Sequence, residues 1–275
     1  MSEQQQWNLV QPRLTQTAEE AGGRLGFGRR AAAPLALVAL WWGATAAGWI
    51  DPSVLPGPGA VSGGFVRLWS EDGLLQHLGV SLGRALSGGI IGIFAGLLLG
   101  LVAGLSRLGE ELYDSLIQML RTIPFLALIP LFIVWFGIGE APKLLLIALA
   151  TCFPMYLNVY AGVRNVDRKV IEAMGSFGLT GPRLILEVVI PLAMPSILTG
   201  LRYSLGISVL VLVAAEQINT SAGLGYLLNT AQAYQQVDVI LICIAIYSVL
   251  GLLADLTVRL LEKLLMPWRV GVAAR

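Results

Sequence analysis

Six long stretches of almost unbroken apolar residues constrain this chain more than any other feature. They run over 34–50, 81–105, 116–136, 144–163, 192–215 and 239–258, separated by short polar segments. About twenty apolar residues at about 1.5 Å rise each cross a hydrocarbon core of roughly 30 Å, so each run approaches the length of a membrane-spanning helix. The chain has 275 residues, 56% hydrophobic and 13% charged, a balance that suits lipid rather than water as solvent. A membrane β-barrel would show alternating segments of about ten residues instead. The fold class expected is therefore all-α, with six transmembrane helices.

The first run follows Arg29 and Arg30 as a signal peptide's would. It follows a polar segment of more than thirty residues, however, and ends in Gly48, Trp49, Ile50, Asp51 and Pro52 rather than a small-residue cleavage site. It reads as a retained helix.

Orientation follows from where the cations fall. Arg13, Arg24, Arg29 and Arg30 precede the first run; Arg107 lies between the second and third; Arg164, Arg168, Lys169 and Arg183 lie between the fourth and fifth; Arg259, Lys263, Arg269 and Arg275 follow the sixth. The other side has only Arg67, Arg84 and Lys143. The excess of Lys and Arg on cytoplasmic loops places both termini and the fourth loop inside. The expected partition is a cytoplasmic tail over 1–33, a membrane domain over 34–265 with its main cytoplasmic loop over 164–190, and a second cytoplasmic tail over 266–275.

Cys152 and Cys243 fall inside apolar runs and read as small packing residues, and His77, the single histidine, reads as an interfacial residue. Metal, cofactor and nucleic acid are not expected partners. Between the first two runs, Val61, Phe65, Leu68 and Trp69 recur at helical spacing after Pro52, Pro56 and Pro58, as in a short amphipathic helix on the outer surface.

Two runs carry special features. Gly88, Gly92, Gly96, Gly100 and Gly104 recur every fourth residue, a nearly straight ridge that lets another helix approach closely, within the chain or across a dimer. The third run holds Gln118, Arg121, Pro124 and Pro130; its prolines should bend or open the helix and leave carbonyls for neighbours or water. An anion crossing the membrane would need polar groups or fixed positive charge. The candidates are Arg121, Arg84 and Asn158, whose amide can donate. Alternatively, Arg121 reaches the inner interface or pairs with Glu216 or Asp255.

The fourth loop reads VIEAMGSFGLTGPRLILEVVIPLAMPSILTG over 170–200. Its pattern is helix, break, helix: 170–177 makes about two turns, Gly178 can end them at positive φ, and Thr180 can cap a second short helix with Pro182 near its start. Pro191 and Pro195 mark entry to the fifth run. Two short helices at an angle would project a knob that a partner protein can grip.

This loop resembles the EAA loop of ATP-binding cassette (ABC) importer permeases. Glu172, Ala173 and Met174 stand at its first three places, Gly178 at its glycine, and Ile190 with Pro191 at its later apolar–proline pair. Met174 departs from the usual alanine and Ile190 from the usual leucine. The resemblance extends through LPGPGAV, HLGVSLGRAL, LRTIPFLALIPLFIVWFGIGE, GLR, AAEQI and GLGYLL, and is to the nitrate, taurine and sulfonate permeases, most of all the aliphatic-sulfonate branch. It implies a type I importer permease fold in the bacterial inner membrane, a permease homodimer surrounded by lipid, ABC ATPase subunits that receive the loop, and an extracytoplasmic substrate-binding protein. Glu172, Ala173, Met174, Gly178 and Pro191 would couple to the ATPase.

Leu86, Ser87, Gly88 and Gly89 spell the start of an ABC ATPase signature, but inside an apolar run, and the chain has no GxxxxGK[ST] phosphate loop. The energy source would be another subunit, and the chain is not expected to be an enzyme. A self-contained ion-coupled secondary transporter is the alternative; it would need repeated halves and buried ionisable relays. Duplicated halves are not visible, and the carboxylates weighed for a relay, Glu216 and Asp255, stand at the ends of runs.

Overall fold

A computed structural model describes residues 22–120, 122–217 and 220–267, with side chains described from residue 32 onward except at 113–116. Arg121 and most of both predicted tails lie outside the described residues. Among the described residues the regular structure is helical throughout. The chain divides into two compact units, Met1–Gly63 and Gly64–Arg275.

In the first unit, α1 (Gly22–Ala46) begins inside the predicted polar tail and ends four residues before the predicted end of the first run. Gly48 at φ +70° turns the chain out of helical geometry. The apolar part of α1, Ala32–Ala46, is shorter than a span. Helix α2 (Pro58–Ser70), whose residues fall on both sides of the division at Gly63, follows at the predicted place, its proline in the first turn where a missing N–H costs nothing.

In the second unit, four helices are long and apolar enough to cross a membrane: α3 (Leu74–Leu105), α6 (Glu140–Arg164), α8 (Gly181–Glu216) and α10 (Val237–Leu265). Between α3 and α6 lie α4 (Arg107–Leu120) and α5 (Phe125–Phe136), which meet at 89°. The third run is thus broken as its prolines predict. Pro124 is extended at the break, and Pro130 sits in the first turn of the α-helical part of α5 rather than kinking it. The remaining helices are α7 (Arg168–Ser176) and α9 (Leu224–Ala233).

The glycine ridge settles the packing of α3. All five ridge glycines are buried, and each faces α6. A methyl at Gly92 would fall on the Ala148 carbonyl and the Thr151 hydroxyl, and one at Gly100 would stand 2.8 Å from Val159 Cβ and 2.9 Å from the Tyr156 carbonyl. The seam is therefore within the chain. Gly88 meets Ile147 and Gly104 meets Val163, so α3 and α6 run parallel. Helix α8 lies antiparallel on α6, with Ser204 donating to the Thr151 carbonyl (2.8 Å) and Gly162 against Ser196. Val258 of α10 packs with Leu198 of α8 in turn.

The fifth run differs from expectation. The second short helix of the loop is not separate: Gly181 to Glu216 is one helix, wound as a π-turn over Ile185–Val189. Pro191 cannot donate to the Glu187 carbonyl, and widening the turn just before it keeps the helix continuous. Pro191 and Pro195 therefore lie inside α8 rather than marking its entry.

Candidate functional site

Two regions at opposite ends of the second unit carry the polar chemistry. At one end, where α3 and α6 start and α8 finishes, Arg84 is buried with 7% of its side chain exposed. Its Nε and Nη2 donate to the two oxygens of Glu140 at 2.6 Å each, a bidentate fork. Its Nη1 donates to Glu216 Oε1 (2.7 Å) and to the Ala222 carbonyl (2.6 Å). The Glu216 side chain is fully buried. It also meets the Ser81 hydroxyl (2.7 Å), the Gly225 N–H (2.9 Å) and the Tyr247 hydroxyl (3.4 Å). Lys143 Nζ stands 3.2 Å from Glu140, so two cations face two carboxylates.

This ionic clasp holds the turn between α8 and α9. The Leu224 N–H donates to Ser81 Oγ (2.8 Å) and the Gly223 N–H to His77 Nδ1 (2.9 Å), while the His77 ring stacks on Tyr226 at 5.7 Å. First-turn amides of α9 are thereby satisfied by side chains of α3 and by a carboxylate. Gly223, at φ +126°, has no room for a side chain: a Cβ would stand 2.7 Å from Arg84 Nη1.

The described path candidates have hydrogen-bond partners within the chain. Arg84, read as a candidate for anion passage, is committed to Glu140, Glu216 and Ala222. Asn158 Nδ2 donates to the Pro154 carbonyl of its own helix (2.8 Å), and its Cβ lies against Gly200 in the α6–α8 seam. Glu216 pairs with Arg84, and Asp255 with Arg202 (3.3 Å) and Arg259 (2.7 Å). Arg121 lies outside the described residues. Ser81 and Glu140 were not singled out in sequence, although each sits in a stretch that carries the resemblance, as do His77, Arg84, Glu216 and Gly223–Tyr226. Those stretches, far apart in the chain, meet at the clasp.

At the opposite end stands α7. Asp167 caps it, its Oδ1 accepting from the Lys169 N–H (2.9 Å). At its other end the Leu179 N–H donates to the Met174 carbonyl (3.1 Å) and the Gly178 N–H to the Gly175 carbonyl (3.0 Å), with Gly178 at φ +87°. This is a Schellman stop, which requires the left-handed residue that the sequence supplies as glycine. Ile171 packs on the core of Met155, Val159, Val163 and Val189, while Glu172 and Ala173 face outward and Phe177 stands 82% exposed. Thr180 precedes α8 in extended conformation, without the side-chain cap bond expected of it.

Comparison with known proteins gives first the class: a membrane permease subunit of an ABC importer, in which a separate subunit hydrolyses ATP. More narrowly, the chain belongs to the family of binding-protein-dependent transport system inner membrane components, whose model matches residues 92–266. The aliphatic sulfonates transport permease protein SsuC of Escherichia coli (strain K12) is 48% identical over 235 residues, 86% of this chain and 89% of that one. The taurine transport system permease protein TauC of the same organism is 35% identical over 237 residues, 84% of this chain and 86% of that one. Among solved structures, an inward-facing conformation of the MetNI methionine ABC transporter matches with a TM-score of 0.56 at 19% identity, over 68% of this chain and 94% of the matched one, a likeness of fold.

Proposed function

We propose that this chain forms the membrane path of a type I ABC importer for a small anion, with an aliphatic sulfonate as cargo, and that α7 is the coupling helix its ATPase grips. The observation that carries the reading is the capped and stopped α7, which presents Glu172, Ala173 and Phe177 outward on the loop richest in cations. The similarity to permeases named for sulfonates and taurine supports the substrate class. An extracytoplasmic binding protein delivers the cargo, and two copies of the chain, surrounded by lipid, pair in the inner membrane. Exposed leucines such as Leu252 (70%) and Leu264 (75%) suit such surroundings.

The directions of α3 and α6 against α8 support the later crossings of a six-crossing topology with both termini cytoplasmic. Because α3 and α6 run parallel, the chain must return between them, and only the bent α4–α5 pair is available to do so. Two of the three cations on the outer side, Arg84 and Lys143, are neutralised in the clasp, which sharpens the charge asymmetry. The reading keeps the partition into a tail over 1–33, a membrane domain over 34–265 and a tail over 266–275, with the coupling loop over 164–190.

The test is reconstitution of the permease with its ATPase and binding protein in vesicles. ATP-dependent uptake of labelled ethanesulfonate is expected, while a cysteine label at residue 168 reacts only from the ATPase side and one at residue 62 only from the binding-protein side. ATP-independent, ion-driven uptake would overturn the reading, and reversed labelling would overturn the orientation.

Arg121, which lies outside the described residues, is the candidate we keep for lowering the barrier to an anion. Arg121→Gln is expected to preserve complex yield and substrate-stimulated ATP hydrolysis while lowering uptake by roughly tenfold, the scale of one charge-assisted hydrogen bond. A falling yield with normal uptake by the surviving complex would make the residue structural.

A further inference from the structure

A second polar cluster lies beside the coupling loop, and neither the clasp nor the docking surface absorbs it. Glu110, in the π-turn Glu110–Asp114 of α4, accepts from the Tyr160 hydroxyl (2.7 Å) and pairs with Arg164 Nη2. Tyr160 and Arg164 share one face of α6, and the Arg164 guanidinium lies over the Tyr160 ring at 6.0 Å. Tyr156, one turn further back, stacks nearly parallel on Tyr160, with ring centres 5.9 Å apart. The three side chains form a column along the last turns of α6.

That column joins a cluster in which both halves of the broken span take part. Tyr156 is fully buried in a cluster with Ile117 of α4 and Phe153, against which Phe125 of α5 packs. The Phe125 and Phe153 rings stand 5.7 Å apart. At its other end the column stops at Arg164, three residues before Asp167 opens α7. Helix α7 thus starts within four residues of the turn of α6 that holds Glu110. The π-turn makes α4 locally wider than an α-helix, and such turns occur frequently at functional positions.

We propose that Glu110, Tyr160 and Arg164 form the joint through which movement of the coupling loop reaches the bend between α4 and α5. The inference rests on the reading of α7 as the coupling helix. In it, Glu110 is a positioning residue: it touches neither cargo nor ATPase and sets where the broken span stands relative to the loop. Apolar packing alone could slide under load, whereas a carboxylate held from two sides by a hydroxyl and a guanidinium resists displacement in direction as well as distance.

The experiment uses the assembled complex with Cys152 and Cys243 replaced by alanine and a reporter cysteine at Ile123, an exposed position in the bend. Its rate of labelling by a water-soluble maleimide is measured without nucleotide and with ATP and vanadate. In the otherwise unchanged complex the rate is expected to shift with nucleotide. In Glu110→Gln and Arg164→Gln that shift falls by roughly tenfold at unchanged complex yield, and the exchanged pair Glu110→Arg with Arg164→Glu restores it. A full nucleotide-dependent shift in Glu110→Gln overturns the proposal, as does the absence of any shift in the parent complex. Failure of the coupling-helix reading looks different: the ATPase would then remain bound and coupled when the α7 stop itself is broken by Gly178→Val.

Discussion

Glu216→Ala is expected to abolish accumulation of the protein in the membrane. The substitution removes one of the two carboxylates that neutralise a guanidinium buried to 93% and leaves the Ser81 hydroxyl and the Gly225 N–H without their acceptor. Breaking a buried pair from one side costs about 3–5 kcal/mol; Arg84 keeps its fork to Glu140, so here the loss falls on its Nη1, the Ser81 hydroxyl and the Gly225 N–H together. That is comparable to much of the stability of a typical domain. Replacing both charges, as in Glu216→Leu with Arg84→Met, should recover part of the loss, since two apolar groups carry no desolvation debt. Yield of membrane-inserted protein and the unfolding midpoint in detergent report both. Normal yield from Glu216→Ala would mean that the clasp is not what holds the α8–α9 turn.

Gly178→Val should act at the other end and in another way. At φ +87° a β-branched residue is strained by roughly 1–3 kcal/mol. The Schellman stop would reform elsewhere, and with it the direction in which Phe177 and Glu172 point. The permease should still insert, because α7 is on the surface, but the ATPase should no longer copurify and ATP-driven uptake should be lost. Gly178→Asn, which tolerates the left-handed region better, should retain most of both. Glu172→Ala should weaken docking less than Gly178→Val, since it removes one exposed side chain and leaves the backbone path intact. Retained ATPase and normal uptake in Gly178→Val would remove α7 from the coupling role.

What could be read in advance from the chain were features set by neighbours in sequence. The ridge of Gly88 to Gly104 is a period of four, so one helix and its close partner follow directly. The stop at Gly178 is local too, as is the break made by Pro124. The clasp escaped notice because its members are distant: Arg84 is 56 residues from Glu140 and 132 from Glu216. Periodicity carries no signal for such pairs, and a lone arginine near a helix start looks the same whether it faces an anion or a glutamate. The π-turn was hidden for a different reason. A proline is a local signal, but whether the helix breaks or widens to accommodate it depends on what packs around it, here the buried Val188 and Val189. Helix α9 has ten residues, too short to register among the long apolar runs.

The clasp also sets an order of events during synthesis. Arg84 leaves the ribosome first, and at about 5–20 residues per second its permanent buried partner follows only after on the order of ten seconds. Glu140 emerges in less than half that time. It is the more accessible of the two carboxylates, with 54% of its side chain exposed against none for Glu216. The nascent chain thus meets its solvent-facing counter-ion early and its enclosed one late. The arginine has one counter-ion within reach before α8 exists and gains its second only when α8 closes on it.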